Sequence, residues 1–384
     1  MSVALAGRLV LPAAKRVGVA LSGGGDSVAL LHLLRQAGHE VLAVTVDHGL
    51  RPESGTEAQI VAGWCRGWGI SHHILRWERE EIRGNLMDAA RRARAGLIAD
   101  WAAGQGLSAV ALGHTADDQA ETLLMGLSRS AGIDGLCGLR AEWRQGGLTW
   151  LRPMLRLTRA ELRGWLAEQG LPWVDDPTNA DDRYLRARIR KALAGLAPLG
   201  LTPARLAESA AHLAVARAAL DAVVAGAATG VMQEAAGGLR VDALRFAALP
   251  DEIARRRAQA AVLWLSGADS PPRAADLARF IDAIAGGRAA TLAGCRLKDG
   301  WLVAEPRAAD LRRWRVEGAG TAALLGPHGL RQCPDWRAAG LPRHVLEVTP
   351  GLWQGDRLLA APCAGFGPGA ASCAPSFADC LLSH

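Results

Sequence analysis

Apolar runs too short to be helices alternate with segments of helical spacing along the first half of this chain. Val17–Leu21 and Val41–Val46 are apolar almost throughout, the pattern of strands buried on both faces. Between them, Leu30, Leu31, Leu33 and Leu34 have helical spacing within Ser27–Ala37. Ser54-Gly-Thr-Glu57 has the form of a capping box and predicts a helix to about Trp68. The pattern then predicts a strand over 72–77, a helix over 86–105, a strand over Ala109–Leu112 and a helix from Ala116 to Ser128. Strand–helix alternation of this kind predicts an α/β fold, a parallel Rossmann-like sheet with helices on both faces.

The rhythm changes after Gly135. Thr158-Arg-Ala-Glu161 is a second capping box and predicts a helix to about Gln169. Trp173-Val-Asp-Asp-Pro-Thr-Asn179 follows, then the basic segment 183–191, and Pro198 and Pro203 bracket a boundary. Residues 204–290 are alanine-rich and helical in pattern, broken by Gly237-Gly238 and Pro271-Pro272. Beyond 291, short strand-like pieces such as Trp301–Ala304 and Val345–Val348 stand among turns, and the Gly-, Pro- and Ser-rich tail after Ala361 predicts a mobile end. The expected division is 1–198, an α/β domain, 199–290, a helical domain, and 291–384, a small α+β region with that tail.

Composition narrows the class. A chain of 384 residues is too long for one typical core. The net charge of +6 favours an acidic partner such as nucleic acid, but only mildly. Of its 44 basic residues only Lys15, Lys191 and Lys298 are lysines, so local clustering is better evidence than arginine count. Seven cysteines without a C-x-x-C pair argue against a disulfide framework, a zinc ribbon or a cysteine-held cluster. The apolar N-terminal run is interrupted by Arg8 and Lys15-Arg16 and continues into the first strand, which excludes a cleaved signal. Residues 358–378 are uncharged, but Pro362, Pro368 and Pro375 exclude a membrane helix there. No membrane partner and a cytoplasmic location are expected.

The chemistry concentrates at strand ends. Ser22-Gly-Gly-Gly-Asp-Ser27 joins the first strand to its helix, and three glycines there let backbone N–H groups cradle an anion at a helix N-terminus. Asp26 would repel phosphate unless a cation lies between them, which suits Mg²⁺. The bland reading is a glycine-rich turn with a capping acid. Asp47-His48 ends the second strand, and His114 with Asp117 and Asp118 follows the fourth. Ligands of parallel sheets gather beyond the carboxyl ends of the strands, so these three endings share one crevice. Asp117, Asp118 and Glu121 have a plainer alternative as first-turn acids favoured by the helix dipole.

The loop resembles the pyrophosphate loop of the N-type ATP pyrophosphatases, which cleave ATP between its α and β phosphates. Three further stretches are similar, in order, to motifs of the tRNA(Ile)-lysidine synthase family: VDHGLRPES (46–54), GHTADDQAETLLMGLSRSAGIDGLCGL (113–139), and LRPMLRLTRAELRGWL with WVDDPTNADDRYLRARIR (151–190). That resemblance covers most of residues 17–190. It implies a PP-loop catalytic domain followed by a tRNA-binding module. It implies ATP and Mg²⁺ as cofactors, with a CAU-anticodon tRNA(Ile) and free L-lysine as partners, and leaves a homodimer open. The implied reaction joins lysine to carbon 2 of the wobble cytidine through an adenylated intermediate.

Carried over by residue, Ser22, Gly23, Gly24, Gly25, Asp26, Ser27 and His114 bind ATP, with Asp26 near Mg²⁺. Asp47 and Asp118 are catalytic carboxylates that bind the metal or orient and deprotonate lysine, and Arg91 is catalytic with them. Arg94, Arg183, Arg186, Arg188, Arg190 and Lys191 contact tRNA, near Trp173 and Tyr184. Ala95 and Ala187 depart from the family pattern, which commonly has an aromatic and an asparagine there. Two rivals stand beside this reading: a tRNA thiolase, for which Cys137 would be a weak sulfur carrier, and a nucleotide-binding module without chemistry.

Overall fold

The computed structural model describes residues 5, 7–49, 54–77, 86–175, 183, 185–226, 230–268 and 270–383. The chain forms two compact units, 1–217 and 218–384.

The first unit is built on one six-stranded sheet. In chain order its elements are β1 (Arg16–Ala20), α1 (Gly25–Gln36), β2 (Glu40–Asp47), α2 (Ser54–Gly67), β3 (His72–Arg76), α3 (Leu86–Gly104), β4 (Ala109–Leu112), α4 (Ala116–Leu127), α5 (Ile133–Leu136), β5 (Glu142–Gln145), β6 (Leu148–Leu151), α6 (Arg159–Glu168), α7 (Leu185–Leu196) and α8 (Pro203–Gly226). The sheet order is β3-β2-β1-β4-β6-β5, parallel throughout except for the β5–β6 hairpin. Val17, Val19 and Leu21 point to one face, where they pack with Leu30, Leu31 and Leu34 of α1 and Leu162, Trp165 and Leu166 of α6. Ala20, Val44 and Val110 point to the other, against Ile98 and Trp101 of α3. Gly18 lets that second layer close in, since a Cβ there would lie 2.9 Å from the Trp101 ring.

From β1 the chain steps outward to β2 and β3, then crosses back to β4 on the other side of β1. The order therefore reverses between β1 and β4, and the loops leaving these two strands open a crevice.

The expected boundary near 198 is displaced. Leu206 and Ala210 of α8 are buried, Leu206 with Leu123 of α4 and Leu193 of α7, so the first half of α8 belongs to the first unit. By length and apolar composition alone α8 is long enough to cross a membrane. It nevertheless carries Arg205, Glu208, Arg217 and Asp221, and Asp221 Oδ1 accepts from Arg256 Nη1 at 2.8 Å.

The second unit is a mixed structure, and the expected split near 290 does not follow its sheet. Its elements are β7 (Met232–Ala235), β8 (Gly238–Val241), α9 (Ala243–Ala247), α10 (Asp251–Ser266), α11 (Ala274–Ala285), β9 (Ala290–Leu292), β10 (Cys295–Lys298), β11 (Trp301–Ala304), β12 (Trp314–Glu317), β13 (Thr321–Leu324), α12 (Gly326–Arg331), α13 (Arg343–Leu346), β14 (Pro350–Gln354), β15 (Arg357–Ala360), β16 (Ala370–Cys373) and α14 (Phe377–Ser383). Residues 232–241 form a hairpin, and β8 pairs with β11 in a five-stranded antiparallel sheet, Leu239 opposite Leu302. The alanine-rich helices and the later strands thus share one core, around Phe246, Trp264, Phe280 and Leu302.

Two readings of the second unit change. The segment around Val345–Val348 contains helix α13 instead of a strand: Val345 and Leu346 are adjacent and both fully buried, which the alternation of a half-buried strand does not allow. The tail after Ala361 is folded. Its strand β16 pairs with β12, and α14 places Phe377, Cys380 and Leu381 at helical spacing in the core. Trp264 Nε1 donates to the Pro375 carbonyl at 3.0 Å.

Candidate active site at the switch point of the sheet

The glycine loop is held by its two serines. Ser27 Oγ donates to the Gly24 carbonyl at 2.9 Å and accepts the Ser22 amide at 3.1 Å, and the two hydroxyls lie 3.2 Å apart. Both serines are thus engaged in shaping the loop. Gly23 has φ +84°, a conformation L side chains rarely adopt, and a Cβ there would meet Val61 Cγ2 at 2.7 Å. Across the loop, Val174 donates to the Gly23 carbonyl at 2.9 Å, and Trp173 packs on the core beneath. Trp173 therefore supports the loop from below. Residues 50–53 and 176–182 of the similar motifs, and Tyr184, lie outside the described residues.

Asp26 does not stand alone against phosphate. Its Oδ2 accepts from Arg159 Nε at 3.0 Å, while its buried Oδ1 has no partner. Burial raises the Asp26 pKa, with Asp118 and Asp117 adding to the rise and Arg159 opposing it. Arg159, the first residue of α6, ties four acids together. Besides Asp26, its guanidinium lies 3.7 Å from Asp118 Oδ1 and 3.6 Å from Glu121 Oε1, and its amide donates to Asp117 Oδ2 at 2.7 Å. The sequence places Arg159 there through the Thr158 cap, whose capping box with Glu161 starts the helix one residue earlier.

Asp118 caps its own helix. Its Oδ2 accepts the Thr115 amide at 2.9 Å and the Thr115 hydroxyl at 3.0 Å, while its Oδ1 faces the Arg159 and Arg186 guanidiniums. Burial works to raise its pKa, but His114, Arg159, the Thr115 amide and Arg186 together hold it below the usual carboxylate range. Asp47, at the end of β2, accepts at Oδ1 from Ser54 Oγ at 2.6 Å and from the Gly49 amide at 2.9 Å, and these bonds lower its pKa. Its Oδ2 has no hydrogen-bond partner among the described residues. Ser54, expected as a helix cap, sends its hydroxyl to this acid.

His114 is half-buried between these groups and Arg152, whose Nε lies 3.2 Å from His114 Nδ1. Burial brings His114 down to about 4, so the imidazole is neutral at pH 7. Arg94 reaches the same region. It is half-buried, its charge lowers the pKa of both His48 and His114, and it has no hydrogen-bond or ion-pair partner among the described residues. Arg91 is exposed on the same helix, and its charge is felt at Arg152.

The basic segment divides into two kinds of residue. Arg186 Nε and Arg190 Nε donate to Glu121 at 2.8 and 2.7 Å, and Glu121 has no exposed surface. These two arginines, expected on the RNA surface, anchor α7 to α4, because a fully buried carboxylate requires paired donors. Arg188 is exposed without a partner among the described residues; Arg183 and Lys191 are also exposed. Ala187, where the family pattern has asparagine, is buried.

Residues 5–196 match the family described as PP-loop domain. A tRNA(Ile)-lysidine synthase of Ruegeria pomeroyi is 44% identical over 96% of this chain and 94% of its own length. The chain belongs to the tRNA(Ile)-lysidine synthase family. A second synthase of that name, from Methylobacterium nodulans, is 41% identical over 71% of this chain and 81% of its own. Among solved structures, the U34-tRNA thiolase NcsA from Methanococcus maripaludis aligns with a TM-score of 0.45 at 16% identity, over 52% of this chain and 71% of its own.

In this member of the lysidine synthase family, three residues of the crevice were given no role by the motifs: Arg159, Glu121 and Arg152. Glu121 had a signal, an acid one turn after Asp117 and Asp118 inside an otherwise apolar helix. Arg159 and Arg152 had none, since nothing local distinguishes them from the many other arginines.

Proposed function

We propose that this chain modifies a CAU-anticodon tRNA(Ile), joining free lysine to carbon 2 of the wobble cytidine at the expense of ATP. The observation that carries the reading is the near full-length similarity to curated lysidine synthases, in a chain whose glycine loop, Asp47 and Asp118 all sit at the strand ends of one sheet. The cytidine O2 attacks the α phosphate of ATP, pyrophosphate leaves, and the adenylated oxygen becomes a leaving group. The ε-amine of lysine then attacks carbon 2, the carbon–oxygen bond breaks, AMP departs and the amine loses a proton.

Within this reading the loop amides of 23–27 hold the pyrophosphate oxygens. Asp26 Oδ1, buried and unpaired, fits a divalent cation shared with the phosphates. Among the described residues there is no group of three or more His, Cys, Asp or Glu that could hold a metal ion. When bound, the ion neutralises charge on the departing pyrophosphate. Asp118, committed to its cap and to guanidinium partners, positions these cations. The open Oδ2 of Asp47 suits the lysine ammonium. Arg188, Arg183 and Lys191 contact the RNA backbone, with Arg91 and Arg94 lining the approach. Against the thiolase alternative, Cys137 is buried and its thiol donates to the Asp134 carbonyl.

Purified chain with ATP, Mg²⁺, labelled lysine and CAU-anticodon tRNA(Ile) is expected to release pyrophosphate and label the RNA. No transfer, or equal transfer to a methionine tRNA with the same anticodon, refutes the proposal.

A further inference from the structure

Arg152 follows β6 directly and is almost wholly buried. Its guanidinium is engaged on several sides. Nε points to His114 Nδ1 at 3.2 Å, Nη1 donates to the Arg140 carbonyl at 2.8 Å, and Cζ lies 4.1 Å from the centre of the Trp143 ring. Trp143 in turn stacks on Trp150, with centroids 5.8 Å apart and planes 12° from parallel. These two tryptophans belong to the β5–β6 hairpin, whose outer strand is the antiparallel edge of the sheet. A parallel sheet does not need this edge to make its crevice, so the hairpin's grip on one arginine calls for a reason.

An arginine side chain has only donors and does not lose its proton. The ring nitrogen facing it must therefore offer a lone pair. If Nδ1 of His114 accepts, the neutral imidazole carries its proton on Nε2, and a second proton on Nδ1 would confront the Arg152 N–H. The surroundings act in the same direction: burial, Arg152, Arg186 and Arg94 all disfavour imidazolium, and only Asp118 opposes them.

We propose that Arg152 is a positioning residue that holds His114 as the neutral tautomer protonated on Nε2, making His114 a hydrogen-bond donor to the crevice and not a proton acceptor. A neutral imidazole is an effective donor where a reacting oxygen gains charge. The functional half of this statement rests on the crevice being the nucleotide site; the tautomer does not. It also removes His114 from the groups able to take the lysine proton and leaves that task to a carboxylate.

The test is ¹⁵N NMR of the full chain labelled at histidine, with His114→Gln assigning the signal. At pH 7 the wild-type His114 is expected to show an unprotonated Nδ1 and a protonated Nε2. Arg152→Met should give a mixture of tautomers, with Arg152→Lys partly restoring the single form. Trp143→Leu, which frees only one face of the guanidinium, should cause a smaller change in the same direction. In the complete lysine-transfer assay Arg152→Met should lower kcat about 10-fold or more, with the KM for lysine unchanged. A wild-type His114 protonated on Nδ1, or variant spectra identical to wild type, overturns the proposal. If Arg152→Met does not fold, the wild-type spectrum and Trp143→Leu decide. The expected spectra in a chain without ligase activity would uphold the tautomer and refute the proposed function instead.

Discussion

Glu121→Gln separates the two kinds of arginine in the basic segment. Glu121 is wholly buried, with Arg186 Nε at 2.8 Å, Arg190 Nε at 2.7 Å and Arg159 Nη1 at 3.6 Å. Glutamine keeps the size but removes the charge and turns one acceptor into a donor facing a guanidinium. Two charge-assisted hydrogen bonds are affected, each worth about 1.5–3 kcal/mol. The side chains of Arg186 and Arg190 are 44% and 31% exposed, so both regain water on release. The loss should fall below the roughly 3–5 kcal/mol of a fully buried pair, at about 2–3 kcal/mol. In a unit of this size that lowers Tm by about 4–12 °C. Thermal unfolding followed by circular dichroism measures it on the full chain. Arg190→Ala should destabilise in the same way, and the double variant should fall short of additivity by about 0.5 kcal/mol or more. Arg188→Ala, exposed and without a partner among the described residues, should leave Tm within about 2 °C while weakening tRNA binding and reducing its salt slope by about 1. A Glu121→Gln melt within that same margin of wild type, or equal destabilisation by Arg188→Ala and Arg190→Ala, would refute the division.

Three further outcomes follow from the geometry. Gly23→Ala forces a Cβ into a left-handed backbone and against Val61, costing about 1–2 kcal/mol before the clash is counted; a raised KM for ATP and a lowered Tm are expected, and unchanged values would show that the loop relaxes freely. Asp26→Ala should abolish pyrophosphate release while tRNA binding survives in a filter assay, whereas joint loss of both would make Asp26 a structural residue. Glu161 is held at about 2, against 4.5 for a free carboxyl, because bonds from Arg8 and Thr158 outweigh its partial burial. Its folded pKa is depressed, so its contribution is present above about 4.5 and lost as pH falls towards about 2; Glu161→Gln should flatten the stability–pH curve across that window in urea titrations.

The α/β half was legible because its strands are buried on both faces and its helices on one, so each period survives in the residues. Ala109–Leu112 and Trp301–Ala304 were read with the bounds they have in the fold. The second unit resisted because its strands are short and pair across long separations: β8 and β11 are 61 residues apart at Arg240 and Trp301, with three helices between them. Alanine-rich helices reveal little about which sheet they cover. The tail misled for a related reason. Its glycines and prolines are those of a disordered end, yet Phe377, Cys380 and Leu381 carry a helical stripe that is short enough to overlook.

The site shows the same limit in electrostatic form. Reading the glycine loop alone, an acid beside a phosphate cradle demands a cation, and a metal is the natural choice. The fold adds a cation from 133 residues away in the chain, Arg159, on one oxygen of Asp26 and leaves the other oxygen unpaired. Half of the acid is thus spent on joining the loop to α6, and through Arg159 to Asp118 and Glu121. Among the described residues three carboxylates, Asp26, Asp118 and Glu121, pair with three guanidiniums, from Arg159, Arg186 and Arg190, while Asp117 takes the Arg159 amide. Asp26 Oδ1 is left unpaired, and it is where a cation arriving with ATP would join the set. A site built this way holds its acids close together before substrate binds, and through Glu121 it couples the position of the cradle to α7, the helix of the basic segment.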